Sequence, residues 1–110
     1  MYENTSTLGR GFSEFVYQDA LEAELRRNNI PYDREKKITV QYEGETLKRT
    51  FRVDFLVFNS IIIEIKALPF LNVRGFRQTL NYLKTSGIQL GILVNFGGDR
   101  LTYKRIVNIY

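Results

Sequence analysis

From Phe12 to Asn29 the apolar residues Phe12, Phe15, Val16, Ala20, Leu21 and Leu25 recur at spacings of three and four, which predicts an amphipathic helix. Ser13 stands at the expected N-cap, and Asn28-Asn29 followed by Ile30-Pro31 stops the helix. The period then changes to two. Lys37 to Tyr42 alternates as a strand with one wet face, Glu43-Gly44-Glu45 reads as a turn, and Leu47 to Phe58 reads as a longer strand. Asn59-Ser60 is the expected two-residue hairpin turn. Ile61 to Ala67 follows as a strand buried on both faces, because Ile61-Ile62-Ile63 and Ile65 leave it no wet side. A second helix is expected over residues 71–86, with Val73, Phe76, Leu80 and Leu83 on its apolar stripe and Gly87 as its C′ residue. Gln89 to Phe96 is another buried strand, Gly97-Gly98 turns the chain, and Leu101 to Tyr110 is the last strand.

The order α-β-β-β-α-β-β, without repeats or linkers, predicts one α/β domain over residues 1–110 with a mixed central sheet flanked by two helices. The strands on either side of the second helix form a βαβ unit and should run parallel. A chain of 110 residues buries roughly two-thirds of its unfolded surface, enough for a single core without covalent staples.

There is no Cys and no His. Disulfides, thiolate or imidazole metal sites, Cys nucleophiles and Ser-His-Asp chemistry are excluded. Catalysis would have to use carboxylates, lysine, hydroxyls or a metal held by oxygen. No apolar run approaches the roughly 18 residues of a membrane span, and the first residues lack signal-peptide order, so a soluble cytoplasmic protein with no membrane partner is expected. The net charge of +4 is unevenly distributed: residues 1–45 carry a net −3 and residues 46–110 a net +7. A basic half suits a polyanion such as nucleic acid, or is simply a solvated surface.

The basic half keeps three carboxylates, Asp54, Glu64 and Asp99. Asp99 belongs to the turn after Gly97-Gly98, whereas Asp54 and Glu64 lie in the most apolar part of the chain. Glu64 and Lys66 are two apart on a strand and share a face. A two-residue turn at Asn59-Ser60 would set Phe55 opposite Glu64 and leave Asp54 one step away, so twist or a bulge would decide whether the carboxylates converge. Two carboxylates and an ammonium among apolar residues need compensation. One solution is a buried ion pair, Glu64 with Lys66 or Asp54 with Arg52. The other is a hard-cation site for Mg²⁺ or Mn²⁺, with Lys66 beside it to serve the attacking water or neutralise charge on phosphate.

Asp54, nine intervening residues, then Glu64-x-Lys66 on a hairpin between two helices resembles the PD-(D/E)XK nuclease superfamily, whose restriction-endonuclease-like core is αβββαβ. Gly11-Phe12-Ser13-Glu14-Phe15-Val16-Tyr17 is similar to the G-x-x-E-x-x-Y string of the GxxExxY family within it, and Leu8-Gly9-Arg10-Gly11-Phe12 resembles that family's Leu-Gly-Pro-Gly-Phe lead-in. Gln78-Thr79-Leu80-Asn81-Tyr82 matches the superfamily's Q-x-x-x-Y helix motif. The resemblance implies Asp54 and Glu64 as metal ligands, Lys66 as the catalytic lysine and Glu14 as a further acid of the catalytic and metal shell. It implies Gln78 and Tyr82 as substrate contacts. The plainer alternatives are a helix-capping role for Glu14 and an edge-of-core position for Tyr82. Arg74, Arg77 and Lys84 on the second helix, with Arg100, Lys104 and Arg105 on the last strand, would together form a phosphate-binding rim.

The family's additional N-terminal helix has no counterpart, since only Met1 to Thr7 precede the lead-in. Residues 1–8 are therefore expected to be disordered or a truncated segment. The uncovered patch would be a homodimer surface, or the mark of an inactive member. The function expected is that of a Mg²⁺-dependent (or Mn²⁺-dependent) nuclease hydrolysing phosphodiester bonds in DNA, and in RNA only as a second choice. The alternatives are a catalytically inactive nuclease-fold module that binds nucleic acid, and a small interaction protein with a buried ion-pair network.

Overall fold

The computed structural model describes residues 13–98 and 100–108. The lead-in at residues 1–8, Phe12 of the expected helix stripe and the first positions of the G-x-x-E-x-x-Y string lie outside them.

Helix α1 (Glu14–Arg27) starts at Ser13, whose backbone is extended and whose carbonyl accepts the first helical N–H groups; its side chain makes no capping bond. The buried stripe is Tyr17, Leu21 and Leu25, one residue per turn. Phe15, expected on that stripe, is 62% exposed because Tyr17 takes the core-facing position. Asn28 closes the helix by donating its side-chain amide to the Glu24 carbonyl at 2.8 Å.

Strands β1 (Tyr32–Tyr42) and β2 (Glu45–Val57) form a long antiparallel hairpin. Strand β1 begins earlier than its alternation suggests, since Tyr32, Asp33 and Arg34 pair with Val57, Leu56 and Phe55. The turn uses Glu43 and Gly44, both at positive φ, as a tight hairpin requires. Strand β3 (Ile61–Lys66) lies between β2, antiparallel, and β4 (Leu90–Asn95), parallel; β5 (Thr102–Val107) closes the order β1-β2-β3-β4-β5. The parallel pair is joined by helix α2 (Val73–Ser86), which ends on Gly87 at φ 78°.

The turn between β2 and β3 differs from the expected one. Phe58 and Asn59 occupy its centre with φ of 53° and 58°, and Ser60 N–H closes it on the Val57 carbonyl. Val57 then pairs with Ile61 and Phe55 with Ile63, not with Glu64. That single step sets Asp54 in line with Glu64.

Each helix covers one face. Tyr17, Leu21 and Leu25 of α1 pack on Phe55, Val57, Ile63, Ile65, Val94 and Phe96. Leu83 of α2 packs with Val53, Leu56, Ile62, Leu93 and Ile106 on the other face. Helix α2 approaches β4 closely because its buried stripe is Gly75, Thr79 and Leu83; a Cβ on Gly91 would stand 2.9 Å from Thr79 Cγ2. Val73, expected on this stripe, is 62% exposed.

Candidate active site

At Asp54 the pairing of β2 skips one position toward β1 and has already ended toward β3. Toward β1, Arg34 pairs with Phe55 and Lys36 with Val53, while Glu35 between them adopts φ 53° and pairs with nothing in the ladder. Toward β3, the ladder ends at Phe55 and Ile63. The side-chain alternation also breaks here: Phe55 and Val57 face α1, yet Val53 belongs to the cluster under α2. In place of the next ladder bond, Asp54 Oδ2 accepts the Ile65 N–H at 2.6 Å. The carboxylate is thus fixed by backbone at the point where the two strands part.

Glu64 is only 5% exposed, between Ile63 and Ile65 and alongside Leu93 of β4. Burial, then the charge of Asp54, push the Glu64 acid up to about 9, against the opposing pull of Lys66. In the absence of a cation Glu64 therefore carries a proton at neutral pH. The Tyr82 phenol is raised as well, first by burial and then by Glu64 and Asp54, so Tyr82 stands in the field of the pair. Its ring is stacked on Phe51 of β2 at 4.3 Å.

A groove of about 990 Å³ opens beside this pair, lined among others by Glu14, Lys66, Arg74, Arg77, Gln78 and Tyr82. The groove thus holds six of the residues proposed from the sequence. Asp54 and Glu64 are not themselves in the groove lining; Lys66 and Tyr82, which share their field, join the pair to it. Lys84, Arg100 and Arg105 are exposed and do not line the groove. Lys104 lies over the Phe76 ring at 5.5 Å and lines an adjoining groove of about 670 Å³, which shares Asn72, Val73 and Arg77 with the first. Of the six cations expected to form a basic rim, Arg74 and Arg77 line the first groove, and Lys104 stands with Arg77 in the adjoining one.

One residue that holds the site together was not singled out for a role from the sequence. Asn95, 1% exposed at the end of β4, accepts the Leu68 N–H at 2.9 Å and the Gly97 N–H at 3.1 Å, and donates to the Leu68 carbonyl at 2.8 Å. Phe96 N–H donates to the Lys66 carbonyl at 2.9 Å. Together these bonds tie down the chain leaving β3 just after Lys66. The backbones come so close that a Cβ on Gly97 would meet Leu68 N at 2.3 Å. The signal was present: a lone amide among the apolar residues of β4. Asn72, which caps α2 by accepting the Gly75 N–H at 3.1 Å and also lines the groove, was missed too.

The donor set suits a hard cation. Mg²⁺ typically takes one or two carboxylates, with water and substrate oxygens completing its shell. Asp54 and Glu64 supply two, and the repulsion between them is what a dication relieves. Among the described residues no three acidic side chains cluster as a metal-binding group, and Glu14 stands in the groove lining. No helix among the described residues is long and apolar enough to cross a membrane.

A five-stranded mixed sheet between two helices, with acids and a lysine at the parting of its central strands, is a restriction-endonuclease-like fold. The sequence model of the PD-(D/E)XK nuclease superfamily matches residues 1–106, and the chain belongs to that superfamily. Among solved structures, the crystal structure of SSO0001 superposes with a TM-score of 0.67 and 24% identity, over 84% of this chain and 50% of that one. The chain thus spans about half the length of that protein, and the likeness concerns the fold. No curated protein matches the sequence.

Proposed function

We propose that the protein is a Mg²⁺- or Mn²⁺-dependent nuclease that hydrolyses phosphodiester bonds in DNA. The observation that carries the reading is the buried Asp54–Glu64 carboxyl pair, with Lys66 on the same strand as Glu64 and facing a groove that holds Arg74 and Arg77. Superfamily membership supports it, because divalent metals and nucleic-acid substrates are general there.

In this reading Asp54 and Glu64 hold the cation, which supplies Lewis-acid stabilisation of the phosphate when bound. Asp54 is aimed by the Ile65 N–H, so its position does not depend on the metal. Glu64 would hold the cation in its carboxylate form. Lys66 cannot ligate a cation; its ammonium orients the attacking water and offsets charge growing on the phosphate. Arg74 and Arg77 hold neighbouring phosphates, Gln78 and Tyr82 contact the substrate, and Glu14 serves the cation's water shell from the groove. The Gly11 to Tyr17 string supports placement in the GxxExxY family. Action in the cytoplasm, and a homodimer through the patch that an additional N-terminal helix covers in the GxxExxY family, belong to the same proposal.

The test is a cleavage assay on plasmid, linear, branched and single-stranded DNA with Mg²⁺ and Mn²⁺, run beside Asp54→Ala. Metal-dependent cleavage that Asp54→Ala abolishes supports the reading. Binding to the same DNA without cleavage under any metal would replace it with the inactive nucleic-acid-binding module.

A further inference from the structure

The β1–β2 hairpin runs well past the core. Residues 41–50 are all exposed, and the last residues of the hairpin packed on a core cluster are Ile38 and Phe51. From that root to the Glu43-Gly44 tip is about six residues, or roughly 20 Å of two-stranded ribbon. Such a ribbon is at best marginally stable alone, so burial within this chain does not account for it.

Its charges are arranged for a polyanion. Between Lys36 and Arg52 it carries Lys36, Lys37, Lys48, Arg49 and Arg52 against Glu43 and Glu45 at the tip, a net of +3. Lys37 and Arg52 are directly opposed in the ladder, where like charges repel. Glu35 stands 3.9 Å from Arg52 with both side chains about half exposed, an ion pair worth little in water. Thr39 and Thr50, the next opposed pair on that face, add hydroxyl donors. Between them and the Gln41–Thr46 pair the register shifts, so that Leu47, Lys48 and Arg49 stand against Val40 alone. A bulge of this kind raises the local twist.

The ribbon is also rooted at the candidate site. Phe51 stacks on Tyr82, which lines the groove with Arg74 and Arg77. The ladder between β2 and β3 ends at Phe55, so the ribbon continues from the end of the sheet where Asp54 sits. A two-stranded ribbon fits the major groove of B-DNA, and roughly 20 Å covers about six base pairs at 3.4 Å each.

We propose that the outer β1–β2 hairpin, residues 36–52, is a duplex-DNA-binding arm that holds the substrate several base pairs from the cut site through Lys36, Lys37, Lys48, Arg49 and Arg52. The inference deepens the nuclease reading and rests only on its nucleic-acid part. It places most of the affinity outside the catalytic groove, and on paired rather than single strands.

The test is equilibrium binding of a 30-base-pair duplex in chelator, where no cleavage interferes, over a series of salt concentrations. The proteins compared are the wild type, Lys48→Ala/Arg49→Ala, and Lys37→Ala/Arg52→Ala. In a fourth protein a two-residue Asn-Gly turn replaces residues 39–50, joining the opposed Ile38 and Phe51 and removing the ribbon with Lys48 and Arg49, and circular dichroism and melting check the fold of each. Each double substitution is expected to lower affinity about tenfold or more and to reduce the log–log salt slope by about two, because each phosphate contact contributes roughly 0.9. The shortened hairpin should bind more weakly still. The same substitutions should change binding of a 30-nucleotide single strand much less. Folded variants that bind duplex with unchanged affinity and slope would overturn the arm. So would equal losses on duplex and single strand. The two readings separate cleanly: arm-dependent duplex binding without hydrolysis keeps the arm and removes the nuclease, whereas hydrolysis with arm-independent binding does the reverse.

Discussion

The Ile65 N–H donates to Asp54 Oδ2 at 2.6 Å where β2 and β3 part, and this holds the Asp54 carboxylate where its charge reaches the buried Glu64. Two carboxyl groups this close, one of them 5% exposed, cannot both be ionised unless something positive stands between them. In the protein alone that is a proton on Glu64. In a working nuclease it would be a dication.

A metal response follows. At a Mn²⁺ concentration one hundred times its dissociation constant, the folded state should gain about 2.7 kcal/mol and melt correspondingly higher. Asp54→Asn keeps an oxygen for the Ile65 N–H and removes the repelling charge. It should melt above the wild type in chelator and gain nothing from Mn²⁺. Thermal melts of both proteins check this; an equal Mn²⁺ shift in both would place the cation elsewhere.

The same pair sets a pH dependence. The Glu64 acid titrates near 4.5 when unfolded and near 9 when folded. Between those limits the folded protein keeps a proton that the unfolded chain has released, so raising the pH across the window removes stability. Below about pH 4.5 the contribution is fully present, and by pH 9 it is gone. Urea titrations in chelator should therefore show Glu64→Gln, which cannot lose the proton, gaining on the wild type as pH rises from about 5 to 9. Parallel pH curves for the two proteins would contradict the assignment.

Much of this was legible in the chain. The helices, the parallel βαβ unit and the central β3 follow from periodicity, and Glu64 with Lys66 share a face because strand alternation demands it. The Asp54–Glu64 approach was not legible. It depends on a turn centred on Phe58-Asn59, where a phenylalanine at positive φ goes against local preference, and on Glu35 leaving the ladder opposite Asp54. Where the cations in and just before β5 stand was not legible either: Lys104 lines the groove that adjoins the site at Arg77, whereas Arg100 and Arg105 line neither groove.

Asn95 should prove costly to change. Asn95→Ala strips a 1%-exposed clamp of its bonds to Leu68 and Gly97 and leaves buried backbone groups without partners. A loss of about 2–3 kcal/mol is expected in urea unfolding. Hydrogen exchange should rise first at Leu68 and Gly97. A loss below about 0.5 kcal/mol would show that the loop after Lys66 is held by other contacts.

The central claim is that Lys66 works in the chemical step on a cation-bound phosphodiester. The most direct measurement is the single-turnover cleavage rate of duplex DNA with Mn²⁺ by Lys66→Met, beside its Mn²⁺-induced melting shift and its DNA affinity in chelator. Methionine keeps the stem and removes the charge. The account predicts cleavage reduced by at least about a hundredfold with the metal shift and affinity nearly unchanged, as for an interaction made only in the transition state. Cleavage by Lys66→Met at the wild-type rate would contradict it.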